Sequence, residues 1–456
     1  MSTVRALEQR PRLKIPHLRW YIAGLLVLAT TISYLDRQTL AVAVASKALD
    51  MPDETYSVIQ WAFLTALAIM QPVAGRLIDW LGARRGYALA VLFWSLANIA
   101  HAFATGVRSF ASLRFLLGAG EAGNYPGAMK AITEWFPARE RALATGIFNV
   151  GSGTGAIIAP PLVAGIILMY GWQAAFVFTG AIGLLWVVAW LLLYREPQHH
   201  PLLTSAELDL ITSGQETPSS QLICGPGVSP GLSPGERRCH TAGWGEILRH
   251  KAIWAVIAAK FLTDPGWYFY LFWLPKYLKT VHGFNLQSIA MFAWMPYVCA
   301  DVGSVLGGLV STTFSRWGFS ILGARKLALC ICAAIMPVAI PAGYTGRPSV
   351  ALLFICIATF GHQCWSANLL VMPADLFPRR MVASACGLAG MCGIIGASLF
   401  TLLVGFMLKS FGYRTIFTIV GLLYPIAAVL FLLLVRGHGQ VNGEGVPVAR
   451  VHENPR

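Results

Sequence analysis

Gly75-Arg76-Leu77-Ile78-Asp79-Trp80-Leu81-Gly82-Ala83-Arg84-Arg85 separates two long apolar runs and fits the pattern GxxxDxxGxRR. Each fixed position has a physical use in a short loop between two membrane helices. Gly75 lets a neighbouring helix approach closely, and Gly82 allows a tight turn. Asp79 falls at a helix end, where it can take charge-assisted bonds from arginine side chains or from a neighbouring helix N-terminus. Arg84 and Arg85 mark the face of the membrane on which the loop emerges. An ordinary basic loop would not require this spacing. Near the matching point of the second half, Gly308 is followed by Arg316, Gly318, Arg325 and Lys326. That degraded echo points to an internal repeat.

The rest of the chain agrees with a loop between membrane spans. Of 456 residues, 56% are hydrophobic and 12% charged, about half the charge of a soluble domain. Mean hydropathy is +0.62. This composition excludes an ordinary soluble enzyme, a disordered chain and a disulfide-rich secreted domain. Apolar runs predict twelve spans near 20–45, 55–79, 86–106, 108–134, 140–169 and 172–195, then 250–279, 286–314, 324–344, 349–377, 381–408 and 412–435. The expected fold is all-α and polytopic, with two pseudo-symmetric six-helix bundles at 20–195 and 250–435. Tails are expected at 1–19 and 436–456. The segment 196–249 contains Gly225-Pro226-Gly227, Ser229-Pro230-Gly231 and Ser233-Pro234-Gly235, so it reads as a linker without a core. The run from Trp20 is too long for a cleavable signal and reads as an uncleaved first span.

The net charge of +14 would suggest nucleic acid in a soluble protein. Here it sets orientation, and no nucleic-acid partner is expected. The N-terminal tail carries Arg5, Arg10, Arg12, Lys14 and Arg19, the central segment Arg195, Arg237, Arg238, Arg249 and Lys251, and the C-terminal tail Arg436, Arg450 and Arg456. Loops on the opposite side carry isolated charges such as Lys47, Arg108 and Arg347. By the positive-inside rule both ends and the linker are cytoplasmic. The nine cysteines form no CxxC and read as small packing residues.

Ionisable groups inside spans are costly and point to function. Tyr34-Leu35-Asp36-Arg37-Gln38 lies in span one; Arg114 and Glu121, nearly two turns apart, lie along one face of span four. Two readings stand. The four charges Asp36, Arg37, Arg114 and Glu121 sum to zero and can be structural ion pairs. Alternatively, a carboxylate shielded from water can load a proton, while an arginine offers a planar fork to a substrate carboxylate. Lys260 and Asp264 in span seven have the spacing of a local pair, and Asp301 in span eight has no evident partner. His101 and His362 read as packing residues. Trp267, Trp294 and Trp365 can stack on a sugar face, and Asn149, Gln363 and Asn368 offer donors and acceptors to hydroxyls.

The whole chain resembles the major facilitator superfamily, in which the loop motif at Gly75–Arg85 is a hallmark. Tyr34-Leu35-Asp36-Arg37 resembles the Tyr-x-Asp-Arg signature of its anion:cation symporter family. Glu134-Trp135-Phe136-Pro137-Ala138-Arg139-Glu140-Arg141, Phe148-Asn149-Val150-Gly151-Ser152 and Gly283-Phe284-Asn285-Leu286 with Ile289-Ala290-Met291-Phe292-Ala293-Trp294-Met295-Pro296 are similar to its hexuronate transporters. The resemblance implies proton-coupled uptake of an acidic sugar, such as galacturonate or glucuronate, across a bacterial-type inner membrane. It implies that Arg37 holds the substrate carboxylate beside Tyr34, that Asp36 and Glu121 are proton sites, and that Arg114 couples them. Where relatives often carry Tyr, Leu67 stands four residues before Gln71.

The expected partners are a small anionic sugar acid, protons and the surrounding lipid, acting on a monomer. No metal, cofactor or enzymatic activity is expected, because no metal-ligand cluster, nucleotide loop or soluble catalytic domain is present in the sequence. A drug-efflux antiporter is the rival within the superfamily. Span five lacks the compact GxxxGPxxGG pattern, since Gly155 is followed by Ala156 and Pro160-Pro161 comes later. A non-transporting membrane sensor is the rival from another class.

Overall fold

The structure, a computed structural model, describes residues 14–45, 48–49, 51, 53–213, 244–284, 292 and 294–435. The Pro/Gly repeats at 225–235, the charged residues of the two tails up to Arg12 and from Arg436, Arg237, Arg238, Lys47, and the run 285–291 with Ala293 lie outside the described residues. So do Cys224 and Cys239. The other seven cysteines are free thiols.

Fourteen α-helices follow one another among the described residues: α1 (Leu18–Ala45), α2 (Asp53–Ala100), α3 (Val107–Glu121), α4 (Asn124–Trp135), α5 (Arg141–Tyr170), α6 (Trp172–Leu193), α7 (Ser205–Ser213), α8 (Trp244–Arg249), α9 (Lys251–His282), α10 (Met295–Arg316), α11 (Ile321–Ile335), α12 (Pro348–Leu376), α13 (Val382–Ser410) and α14 (Gly412–Leu434). Among the described residues, nine stretches are long and apolar enough to cross a bilayer. One of them, Val58–Phe103, is 46 residues long, enough for two crossings at about 20 residues each. The α3–α4 pair and α9 complete twelve. Apolar side chains such as Leu168, Leu185 and Val188 cover the outer surface, as lipid contact requires.

Local chemistry sets the breaks. Spans two and three run as one helix except at Gly82, whose φ of 77° is open to glycine at little cost. That single residue turns the chain within the motif loop. Span four breaks after Glu121, because Pro126 cannot donate to the carbonyl of Ala122. Span nine passes from α11 into a 3-10 turn at Met336–Gly343 with Pro341 inside it.

The segment after span six departs from the expected linker. Residues 203–213 pack on the first half: Leu203 and Ile211 are buried. From α7, Glu207 accepts hydrogen bonds from the backbone N–H of Leu18 at 2.9 Å and of Arg19 at 3.2 Å. The Arg19 guanidinium adds a bond of 2.8 Å to Glu207 and another of 3.0 Å to Glu140. Glu207 therefore caps α1, with its charge at the positive end of the helix dipole. Low overall apolarity concealed two well-placed side chains.

Among the described residues, glycines bring helices of the two halves into close contact. A Cβ on Gly75 of α2 would collide with the carbonyl of Ala383 on α13, and one on Gly387 of α13 with the carbonyl of Gln71 on α2. The same reciprocity joins α5 and α10, where Gly146 faces Ser304 and Gly308 faces Ala142. Such glycine-lined crossings let backbones touch without side chains between them.

Beside them lies a buried charge cluster. Asp375 at the end of α12 takes Arg325 at 3.1 Å and Arg141 at 3.3 Å. Arg325 also donates to Ser311 at 2.7 Å and to the carbonyl of Ala138 at 3.1 Å. Asp375→Ala leaves two buried guanidinium groups facing each other. Breaking a buried pair in this way costs about 3–5 kcal/mol, so the thermal midpoint of the purified variant should fall clearly below the wild-type value. An unchanged midpoint would mean that the cluster does not hold this face together.

Candidate transport site

A cavity of about 150 Å³ lies between the halves, lined by residues of α1, α2, α3, α4, α5, α9, α12 and α13. Its charged residues are Arg37, Glu121, Lys260 and Asp264. From α1, Arg37 bonds through Nε to Glu121 Oε2 of α3 at 2.5 Å. Ser33, one turn earlier on α1, donates to the same oxygen at 2.9 Å. The Arg37 guanidinium stands 4.7 Å from the ring centre of Tyr34 and 5.3 Å from that of Phe63. These cation–π contacts hold it in place while leaving part of it open to the cavity.

Asp36 is the neighbour of Arg37 and points elsewhere, because adjacent residues on a helix are turned about 100° apart. It is fully buried inside the first half, off the cavity lining. Asn98 donates to it at 2.7 Å, and the same amide reaches Thr179 at 2.7 Å. Arg114 is also fully buried and donates to the backbone carbonyl of Arg37 at 3.3 Å. Among the described residues no hydrogen-bond partner meets Asp36 Oδ2, Glu121 Oε1, or Arg114 Nε and Nη1. Of the two candidate proton sites, then, Glu121 touches the cavity arginine and Asp36 lies one layer behind it.

The remaining candidates divide. Asn149 of α5 donates to Gln363 of α12 at 2.5 Å, joining the halves across the cavity. Trp267 lines the cavity and stacks on His362 at 5.2 Å. The structure does not bring Asn368 into the lining: its amide donates to the carbonyls of Gly307 at 2.9 Å and Cys364 at 3.0 Å, clamping α12 to α10. Trp365 is buried, with its indole on Thr263 at 3.1 Å. Trp294 sits half-exposed at the start of α10, away from the lining. Asp301 lies against Gly153 of α5, and His101 donates to or accepts from nothing in the cavity; its ring bonds the Ala97 carbonyl at 2.8 Å. Leu67 and Gln71 both line the cavity, so the leucine leaves an apolar patch there.

Asp79 stands on the motif face rather than in the cavity. It accepts from Lys130 of α4 at 3.1 Å and from Ser384 at the start of α13, both N–H and hydroxyl at 2.7 Å. The carboxylate thus caps a helix of the other half while a lysine neutralises it. The lysine also bonds the Arg379 carbonyl. Of the two basic residues after Gly82, Arg84 donates to the carbonyl of Leu191 at 2.6 Å, and Arg85 is exposed. Sequence reasoning missed Ser33, Lys130, Asp375 and Ser384. Only Ser33 had a local signal, its i,i+4 relation to Arg37.

A polar cavity enclosed between two bundles and closed by ion pairs on one face defines a membrane transporter. The profile of the Major Facilitator Superfamily matches residues 26–369 and 320–452, and the chain belongs to that family. It is 37% identical to the hexuronate transporter of Escherichia coli strain K12 over 446 residues, 97% of this chain and 99% of that one. It is also 37% identical to the galacturonate transporter of Dickeya chrysanthemi over 326 residues, 71% of this chain and 90% of that one. Among solved structures, the proton:xylose symporter XylE superposes with a TM-score of 0.70 at 14% identity, covering 94% of this chain and 98% of that one. At that identity the likeness concerns the fold alone.

Proposed function

We propose that this chain is a proton-coupled symporter that takes up a hexuronate by alternating access. It works as a monomer in a bacterial-type inner membrane. Its bundles are 20–195 and 250–435, and its tails and central linker face the cytoplasm. The observation that carries the reading is the Arg37–Glu121 pair at 2.5 Å in the cavity wall. As long as Glu121 is ionised, it competes with an incoming carboxylate for the same guanidinium. Once Glu121 takes a proton, Arg37 is free to bind the substrate through its fork. Proton and substrate therefore favour each other's binding, which is the linkage a symporter needs. The Glu121 oxygen without a partner supports this role, and Asp36, also with one such oxygen, is the second proton site. Arg114, bonded to the Arg37 carbonyl, is the residue that couples the two acids.

The cavity volume supports a small solute. Drug-sized ligands occupy pockets of about 300–1,000 Å³, well above the 150 Å³ here. Asn149 and Gln363 suit hydroxyl groups, and Trp267 suits the apolar face of a sugar ring. The ties of Asp79 to Lys130 and Ser384 support a closed motif face. The 37% identity to transporters named for hexuronate and galacturonate supports the substrate class. Whole-cell uptake with a panel of labelled sugars tests it. Galacturonate or glucuronate should enter, and neutral galactose should not; equal uptake of the neutral sugar would refute the anion site.

The Asp79–Ser384–Lys130 contact would act as the gate on the cytoplasmic side. Asp79→Asn keeps a cap but removes the charge that Lys130 and the helix end require. The variant should bind substrate with near-normal affinity and turn over more slowly. Equilibrium binding and counterflow rate, measured on one preparation, separate the two; weakened binding with normal turnover would contradict a gating role.

A further inference from the structure

Among the described residues each wall of the cavity carries one ion pair, and the two are turned opposite ways. On the first half the exposed partner is the cation: the Arg37 side chain is 21% exposed and Glu121 0%. On the second half the exposed partner is the anion: Asp264 is 21% exposed and Lys260 8%. Lys260 and Asp264 are one turn apart on α9, 2.8 Å from each other, and both line the cavity. The Lys260 ammonium lies 5.7 Å from the ring centre of Tyr125. Gly393 of α13 makes the room for the pair, since a Cβ there would collide with the Asp264 carboxylate and stand 3.1 Å from Lys260 Cε. Arg37, Glu121, Lys260 and Asp264 line the same cavity, with Tyr34 and Tyr268 beside them, so both pairs act on one small volume.

We infer that Asp264 is a specificity-determining residue that makes this cavity select sugar monoacids over sugar diacids, an inference that rests on the function proposed above. A hexuronate carries one carboxylate, which goes to Arg37. Its hydroxyls meet Asp264, whose oxygens keep acceptor capacity beyond the bond to Lys260. A hexarate carries a second carboxylate at the far end. That group meets the exposed Asp264 rather than the covered Lys260, and like charges repel strongly where little water screens them. A pair that merely pinned α9 would not need its carboxylate to be the more open partner. The discriminating element is therefore a repulsive one, set opposite the attractive one at Arg37.

The test is counterflow exchange of labelled galacturonate by the full-length protein in liposomes at neutral pH. Unlabelled galacturonate and galactarate, the corresponding diacid, serve as competitors. Wild-type protein should favour the monoacid by about tenfold or more, and Asp264→Asn should narrow that ratio by about tenfold. Asp264→Glu should keep it. Lys260→Gln, which leaves the carboxylate without its counter-charge, should widen it. The opposite signs of the Asp264→Asn and Lys260→Gln effects separate electrostatic selection from general damage. If the Asn variant does not fold, the sign of the Lys260→Gln change decides. Equal competition by the two acids in the wild type, or ratios unmoved by the folded variants, overturns the role of Asp264 while leaving the transport reading intact. A wild type that exchanges no galacturonate overturns both.

Discussion

Glu121→Gln is expected to keep substrate binding and counterflow exchange and to lose accumulation against a gradient. The substitution mimics a permanently protonated acid. In the structure the carboxylate that occupies Arg37 at 2.5 Å would be replaced by an amide that competes far less for the guanidinium. Affinity should therefore be at least as high as in the wild type. Its dependence on pH should flatten, because in the proposed mechanism Glu121 takes a proton before Arg37 is released. In the wild type, binding should strengthen as pH falls and weaken as pH rises; in the variant it should change little. Moving one negative charge into a negative cell interior costs about 2.3 kcal/mol per 100 mV, and one proton cancels that cost. Two protons, at Glu121 and Asp36, would let the potential drive uptake. A Glu121→Gln variant that still accumulates substrate with wild-type proton dependence would remove Glu121 from the coupling path and leave Asp36 as the remaining candidate.

Arg37→Lys is expected to lose most uptake while the protein still reaches the membrane. Lysine keeps the charge and loses the planar fork that matches a carboxylate. A hydrogen bond to a charged group contributes about 1.5–3 kcal/mol. Losing one such bond weakens substrate binding by about 10- to 100-fold, since ~1.4 kcal/mol corresponds to a factor of ten. The defect should appear in affinity at any pH, unlike the coupling defect of Glu121→Gln. Near-normal affinity in the lysine variant would rule out Arg37 as the carboxylate clamp.

Helices were easier to read from the sequence than their facing partners. Long apolar runs and the glycine at 82 placed the spans and the turn between the second and third, because hydropathy and positive φ are local properties. The spacing of Arg114 and Glu121 placed both towards α1. The same local logic does not tell that Asn368 and Trp294 lie off the cavity lining: belonging to a span says nothing about which face a side chain takes. Asp36 and Arg37, read as one charged cluster, point to different compartments because of the helix turn between neighbours. The cross-half ties were not legible at all. Asp79 meets Ser384 across a separation of 305 residues, and no periodicity within either helix announces the other. In 196–249, composition averaged over the whole segment hid Leu203, Glu207 and Ile211, which anchor the start of α1.

Proton-driven passage of a sugar acid through the Arg37–Glu121 site is the step on which the proposed function depends. It is tested most directly by uptake of labelled galacturonate into liposomes containing the purified protein, with an imposed pH gradient, acidic outside, and with that gradient collapsed. Accumulation above the external concentration is expected with the gradient, equilibration without it, and no accumulation by Glu121→Gln under either condition. Galacturonate uptake that stops at equilibration in the wild type, with the gradient present, would contradict it.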